Sequence, residues 1–348
     1  MIKDDYQFAL LFFREDQSPV GQIAVAADWE PAREWAEFFA LRRGAIAADG
    51  AKRNSEILPS WDLKLGQPYV KGFRVALEGN GSGSSGPTAT ELTTEFPTTY
   101  FKDLAAKGSA YFVERGDLKE GEHFFYLPSA FPKQQKSEPA PRPLFVAEDL
   151  TPPLPLRGSS LRNFEAEAHP HGEIRTDDLP VFVPRRVLDE GAALSKQAGV
   201  VETGGILIGH LHRDPSVPEI YAEVTSQLPA RHTEAQSTKL TFTSETWTDI
   251  RAALALRRKG EMMLGWWHSH PVREWCKDCT PDRQKVCGMA SDFFSAHDQA
   301  LHRTVFARAY NVAIVVNDVG FSEPTFSMFG WRRGMIESRG FYLGTEAD

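Results

Sequence analysis

Apolar and polar positions along the chain fall into two stretches of different texture. In the first, about residues 1–132, residues 8–13 form a continuous apolar run of the buried-strand kind, and 22–26 reads as a second strand. Pro31 is placed to open a helix whose apolar side carries Trp35, Phe38, Phe39 and Leu41. Residues 69–77, 110–114 and 123–127 are predicted as further strands, the last two flanking a turn-rich 115–121. This mixture implies a small α+β domain, with a loop tip where Gly and Ser crowd residues 79–86. His123 stands alone among aromatic residues and is expected to pack in the core. No titratable residues gather here at catalytic spacing, so the role expected of this domain, recruiting a substrate or partner, has no motif behind it.

Beyond residue 160 the pattern tightens. Residues 181–183 form a short strand, and Pro184 precedes a helix with small or apolar residues at 187, 191, 194 and 198, steps that keep one face apolar. Residues 204–209 and 219–224 are predicted strands joined by a polar turn. Ser244 is placed to cap a helix carrying Trp247, Ile250 and Leu254. A buried strand at 262–267, a helix near 295–308 and strands at 312–316 and 325–331 complete the series. The elements lack the regular alternation of a doubly wound sheet, so this half is also expected to be α+β.

Between the two stretches lie prolines 128, 132, 139, 141, 143, 152, 153 and 155, a density that resists helix and central strand alike. The expected organisation is therefore a domain at 1–132, a linker at 133–160, laid on a surface through Leu144, Phe145 and Val146, and a second domain at 161–348.

Composition narrows the classes. With 348 residues, 41% of them hydrophobic and 25% charged, the chain can bury two cores and is too apolar for a disordered polymer. A net charge of −8 argues against nucleic acid or a membrane surface as partner, since both call for excess Lys and Arg. No apolar run approaches the roughly 20 residues that cross a bilayer, and the acidic start does not resemble a signal peptide. The cysteines, Cys276, Cys279 and Cys287, cannot all pair. Their closeness favours metal over a disulfide framework and a reducing, cytoplasmic setting.

Nine of the ten histidines follow residue 168, and three segments stand out: Glu202-Thr-Gly-Gly, His268-Ser-His-Pro271 and Ser295-Ala-His-Asp298. Alternate residues along a strand share a face, so His268 and His270 are suited to hold one zinc. Asp298 suits a third ligand, because Ser295-x-x-Asp298 is also a capping-box start that fixes the carboxylate at a helix mouth. Two histidines and one carboxylate leave a position open for water, the arrangement of a hydrolytic site. Glu202 is a candidate base for that water. Singly, each segment has a blander reading, as a chance pair, a cap or a surface acid; their order and context together are harder to obtain by accident.

These pieces, with the strand and helix from residue 181, Gly204-Gly-Ile-Leu-Ile-Gly209, Gly265-Trp-Trp267 and Val312-Ala-Ile-Val-Val316, resemble the JAMM (MPN-plus) metalloprotease domain. That is the family of zinc-dependent deubiquitinases and their prokaryotic JAB relatives, and the likeness covers about 178–340. It implies a C-terminal JAB/MPN domain, a mixed β-sheet flanked by helices, preceded by a separate smaller α+β domain. It implies that His268, His270 and Asp298 bind a catalytic zinc with water as fourth ligand, that Glu202 shuttles the proton, and that Ser295 donates to the oxyanion. The implied activity is a zinc metallo-isopeptidase that cleaves after the C-terminal glycine of a ubiquitin-like protein, in deconjugation or precursor processing. Implied partners are that protein or its conjugates and the activating and conjugating enzymes of such a system, encoded in some relatives within antiviral defence operons.

One departure concerns the spacer: residues 271–294 separate His270 from Ser295, more than the family usually has. This insert, at 272–290, carries Cys276-x-x-Cys279 and then Cys287, spacing suited to a second, structural zinc that lacks one ligand. His297 or His302 could complete it; His297 is preferred, since His302 lies one turn beyond Asp298 on the same face while His297 points elsewhere. Alternatives are a metal-free scaffold of the same fold, a JAB peptidase acting on small peptides, and a zinc deaminase. The last needs His-x-Glu followed by Pro-Cys-x-x-Cys, whereas here the triplet is His268-Ser269-His270 and Trp275, not Pro, precedes Cys276.

Overall fold

A computed structural model describes residues 2–3, 5–48, 54–64, 67–78, 91–133, 153–231, 233–236, 239–280, 282–283, 293–318 and 323–344. The loop expected at 79–86, the surface segment through Leu144, Phe145 and Val146, and Cys287 lie outside the described residues. The chain divides into two compact units, Met1–Leu41 with Ala45–Leu154, and Arg42–Gly44 with Pro155–Asp348.

The first unit holds a four-stranded sheet, in the order β1 (Ile2–Lys3), β4 (Ser55–Lys64), β5 (Gln67–Glu78), β6 (Glu91–Pro97). A three-stranded sheet runs β3 (Pro19–Val25), β2 (Tyr6–Arg14), β7 (Phe124–Pro132). Helices α1 (Glu30–Arg42) and α2 (Lys102–Glu114) accompany them. Its core is aromatic: Trp29 meets Phe73 edge-on at 4.8 Å, and Phe73 stacks on Phe96 at 5.0 Å. Two sequence expectations fail here. Residues 110–114 are the last part of α2 rather than a strand. Ala105, Gly108 and Phe112 are buried at helical spacing, and that face overrides the strand preference of Tyr111-Phe-Val. His123 is exposed rather than packed, because β7 begins one residue later.

The second unit is built on one mixed sheet. Its elements are, in chain order, β8 (Leu156–Gly158), α3 (Leu161–Ala166), β9 (Ala168–His171), β10 (Val181–Pro184), α4 (Arg185–Ala198), β11 (Gly204–Arg213) and β12 (Ile220–Pro229). There follow β13 (Thr233–Gln236), β14 (Lys239–Phe242), α5 (Ser244–Arg257), β15 (Met262–His270) and α6 (Val272–Trp275). The last are α7 (Ala296–Val305), β16 (Val312–Asn317), β17 (Thr325–Arg332), β18 (Met335–Arg339) and β19 (Phe341–Gly344). Strand order is β18-β17-β16-β15-β11-β12-β10-β19-β9, with β8 paired to the end of β11. The span read as linker thus ends in structure, since Leu156–Gly158 adds a parallel strand beside Leu211–Arg213.

The central strands β11, β15 and β16 are buried along nearly their whole length, as their continuous apolar runs require. Helix α4 covers one face of the sheet, and its Gly191 lets the helix approach the Trp267 ring and Val316. Thr243, not Ser244, is the residue preceding α5, and its side chain makes no capping bond. No described helix is long and apolar enough to cross a membrane.

Candidate metal centre

Strand β15 continues through both histidines, further than its apolar run suggested. Alternation turns Trp266, His268 and His270 to one face and Trp267 and Ser269 to the other. Trp267 lies against α4, with its indole N–H donating to Gln227 at 3.1 Å, so the histidine face is the one away from that helix. There Trp266 stacks on Phe306, the residue that ends α7, and lies near Phe294.

At the end of β15 three donors converge. The Nε2 atoms of His268 and His270 are 3.0 Å apart, and both rings are fully buried. Asp298 Oδ1 lies 3.4 Å from His268 Nε2, and its Oδ2 lies 3.8 Å from His270 Nε2. Ligand atoms of these three residues all fall within 4.8 Å of one another, a group that could hold a metal ion. Two nitrogens each bonded at about 2.0–2.1 Å to a tetrahedral ion stand ~3.3 Å apart, close to the spacing seen. The residues therefore fit a metal of the zinc type.

Asp298 is held by the capping box read from the sequence. Its backbone N–H donates to Ser295 Oγ at 3.1 Å, and its Oδ2 accepts the Ser295 N–H at 2.8 Å. Burial opposes ionisation of Asp298, yet the charge of His268 and hydrogen bonds from both histidines and Ser295 hold its carboxyl far below the usual range. Burial also pushes His270 down to about 4, so its ring is neutral and able to offer a lone pair.

Glu202 stands in the loop before β11 and is 3% exposed, with Oε2 lacking a hydrogen-bond partner among the described residues. Burial first, and the Asp298 charge second, raise its carboxyl to about 8. Gly204 pairs with His268, which draws the Glu202 loop to the metal-facing strand. Ser269 completes that connection: its hydroxyl accepts the Thr203 N–H at 3.0 Å, and its own N–H donates to the Thr203 carbonyl at 2.8 Å.

The insert begins on the rim of this centre. Trp275, in the insert, lies 4.9 Å from the His270 ring, and Phe293, which follows the insert, lies 5.5 Å from it. Cys276 is buried beside Val272, while Cys279 is exposed and donates its N–H to the Cys276 carbonyl at 2.9 Å. His297 is exposed in the first turn of α7. His302 is fully buried, and its Nδ1 accepts the Trp266 indole N–H at 3.1 Å, which commits it to the core. Among the described residues, His268, His270 and Asp298 form the one group that could hold a metal.

Sequence reasoning missed Ser269, Trp266 with His302, and Asn317, which the strand register sets beside His270. The roles of Ser269 and Asn317 depend on which strands are neighbours. The available signal was the polar Asn317 at the end of the apolar run 312–316.

Fold and site together define the second unit as a JAB-type domain with a candidate metal centre. Residues 184–274 match the family of prokaryotic homologs of the JAB domain, and the His268, His270, Asp298 triad fits the JAMM motif. The matched span includes Glu202, His268 and His270; Ser295 and Asp298 follow it. A solution structure of a protein from Desulfitobacterium hafniense is 19% identical and covers 48% of this chain and 95% of that one, with a TM-score of 0.32. No curated protein matches the chain.

Proposed function

We propose that this protein is a zinc-dependent isopeptidase or peptidase that cleaves after the C-terminal glycine of a ubiquitin-like protein, in deconjugation or precursor processing. The observation that carries the reading is the meeting of two buried histidine nitrogens and a buried carboxylate, close to a buried glutamate whose Oε2 has no hydrogen-bond partner among the described residues. Zinc bound by His268, His270 and Asp298 supplies Lewis acidity to a water and to the scissile carbonyl.

The chain's own groups do the rest. Glu202, as carboxylate, takes the proton from water as the oxygen attacks the carbonyl carbon. It then delivers that proton to the amine nitrogen as the C–N bond breaks. Ser295 Oγ already accepts the Asp298 amide, so its hydroxyl hydrogen remains to donate to the carbonyl oxygen as negative charge develops there. Trp275 and Phe293 wall the His270 side and limit water around the centre.

Supporting the substrate choice is the likeness to JAMM deubiquitinases, whose extended substrates add to a sheet edge. We assign the first unit a recruiting role, and activating and conjugating enzymes of the same system as partners. Cys276, Cys279, Cys287 and His297 are proposed to hold a second, structural zinc. Metal analysis is expected to give about two zinc ions per chain, and about one after Cys276→Ser. The function is tested by incubating the zinc-loaded chain with a lysine-linked ubiquitin-like conjugate and with a linear C-terminal extension of the same modifier. Release of the free modifier by wild type and not by Glu202→Gln supports the reading. Equal release by both, or none by either, refutes it.

A further inference from the structure

Strands β15 and β16 run parallel, and their register sets His270 beside Asn317. Paired residues of neighbouring strands project to the same face, so the Asn317 amide shares the face of the His270 imidazole. Asn317 is completely buried, a costly position for a primary amide unless hydrogen bonds compensate. Its Nδ2 donates to Ser327 Oγ on β17 at 3.4 Å. With the nitrogen turned to Ser327, the amide oxygen is the group left for the imidazole that shares its face.

The His270 ring has two nitrogens to place. Nε2 faces the centre, 3.0 Å from His268 Nε2. Nδ1 is the buried atom on the other side. We propose that Asn317 is a positioning residue: its Oδ1 accepts the His270 Nδ1–H, which fixes the tautomer whose Nε2 lone pair points at the metal. The proposal rests on the metal centre of the preceding section. A ligating histidine whose second nitrogen is held in this way is set in both tautomer and ring angle. An amide does this without adding negative charge to a centre that already contains Asp298. His268 is oriented by different means: its ring stacks on Trp266 at 4.5 Å and 13°. The two histidine ligands are thus set by separate devices, one a hydrogen bond and one a stack.

The test uses the full-length chain and two readouts. Nitrogen-15 NMR of the metal-free wild type is expected to show the His270 proton on Nδ1, and a proton on Nε2 overturns the proposal without any variant. Zinc affinity, from chelator competition, is expected to fall about 10–100-fold in Asn317→Leu. Asn317→Asp, which keeps an acceptor oxygen, is expected to recover the wild-type tautomer and most of the affinity. Equal affinity and an unchanged tautomer in Asn317→Leu overturn the role of Asn317. Failure of wild type to take up zinc is a separate result, seen before any variant is made, and it refutes the metal centre itself.

Discussion

Ser269 and Thr203 are joined twice, by the Thr203 N–H to the Ser269 hydroxyl at 3.0 Å and by the Ser269 N–H to the Thr203 carbonyl at 2.8 Å. Ser269 lies between the two histidine ligands, and Thr203 follows the candidate base. The pair therefore transmits the position of β15 to Glu202 over a single residue. It explains how an acid in a loop is held against ligands on a strand.

Ser269→Ala removes the acceptor of the Thr203 amide while leaving both imidazoles in place. A lost hydrogen bond of this kind costs on the order of 1 kcal/mol of stability. The larger expected effect is on turnover, because a base displaced by a fraction of an ångström transfers protons poorly. We expect kcat to fall at least about tenfold, with zinc affinity within about twofold of wild type. Ser269→Thr keeps the oxygen and should restore most of the rate. A parallel loss of zinc would instead make Ser269 a support of the ligands.

Glu202 gives a pH signature in the metal-free chain. Its carboxyl is raised from 4.5 to about 8, first by burial and then by Asp298. The neutral acid is therefore favoured by the folded state. Its contribution to stability is complete below the ordinary value of 4.5 and is lost as pH climbs through about 8. Glu202→Gln cannot ionise and escapes that loss. Thermal melts should show the Tm of the variant rising relative to wild type between about pH 5 and pH 9. A constant difference across that range would show Glu202 to be ionised already when folded.

Much of the centre was legible because its chemistry is local in sequence. A His-x-His on a strand, a Ser-x-x-Asp cap and an acid before Gly-Gly each announce themselves in a few residues, and the structure brings all three together. What was not legible depends on long-range pairing. Asn317 reads as the polar end of a strand until β16 is known to lie beside β15. His302 reads as a possible ligand until its Nδ1 is found against the Trp266 indole. Residues 110–114 differ for another reason: the run is β-prone by itself, and its helical face shows only together with the buried positions Ala105 and Gly108.

His302 predicts an acid limb. Burial lowers its pKa to about 3, and its Nδ1 receives the Trp266 N–H, so a second proton there would set two donors against each other. A depressed histidine stabilises the fold fully above its ordinary 6.5 and loses that contribution as pH falls through the folded value. His270, lowered to about 4, acts in the same direction in the metal-free chain. Stability should therefore decline from about pH 6.5 towards pH 3. His302→Gln, which can still accept from the indole, should flatten that decline and lower the Tm at neutral pH through imperfect packing. An unchanged acid slope would mean that another group carries it.

Gly265 and Gly330 separate a rigid constraint from a soft one. A Cβ on Gly265 would stand 1.8 Å from the carbonyl oxygen of Val312, its partner across β15 and β16. No rotamer relieves a clash with backbone, so the two strands must part. Those strands carry His268, His270 and Asn317. A Cβ on Gly330 would meet the Arg339 side chain at 3.0 Å and Val312 Cγ1 at 3.3 Å, contacts with movable atoms. Overpacking a core typically costs about 1–3 kcal/mol, and a backbone clash in a central strand should exceed that. Gly265→Ala is expected to lower the Tm by about 10 °C or more and to weaken zinc binding with it. Gly330→Ala should lower the Tm by a few degrees and leave zinc affinity unchanged. Melting curves with and without zinc distinguish the two, and equal behaviour would show that β15 and β16 can separate without disturbing the ligands.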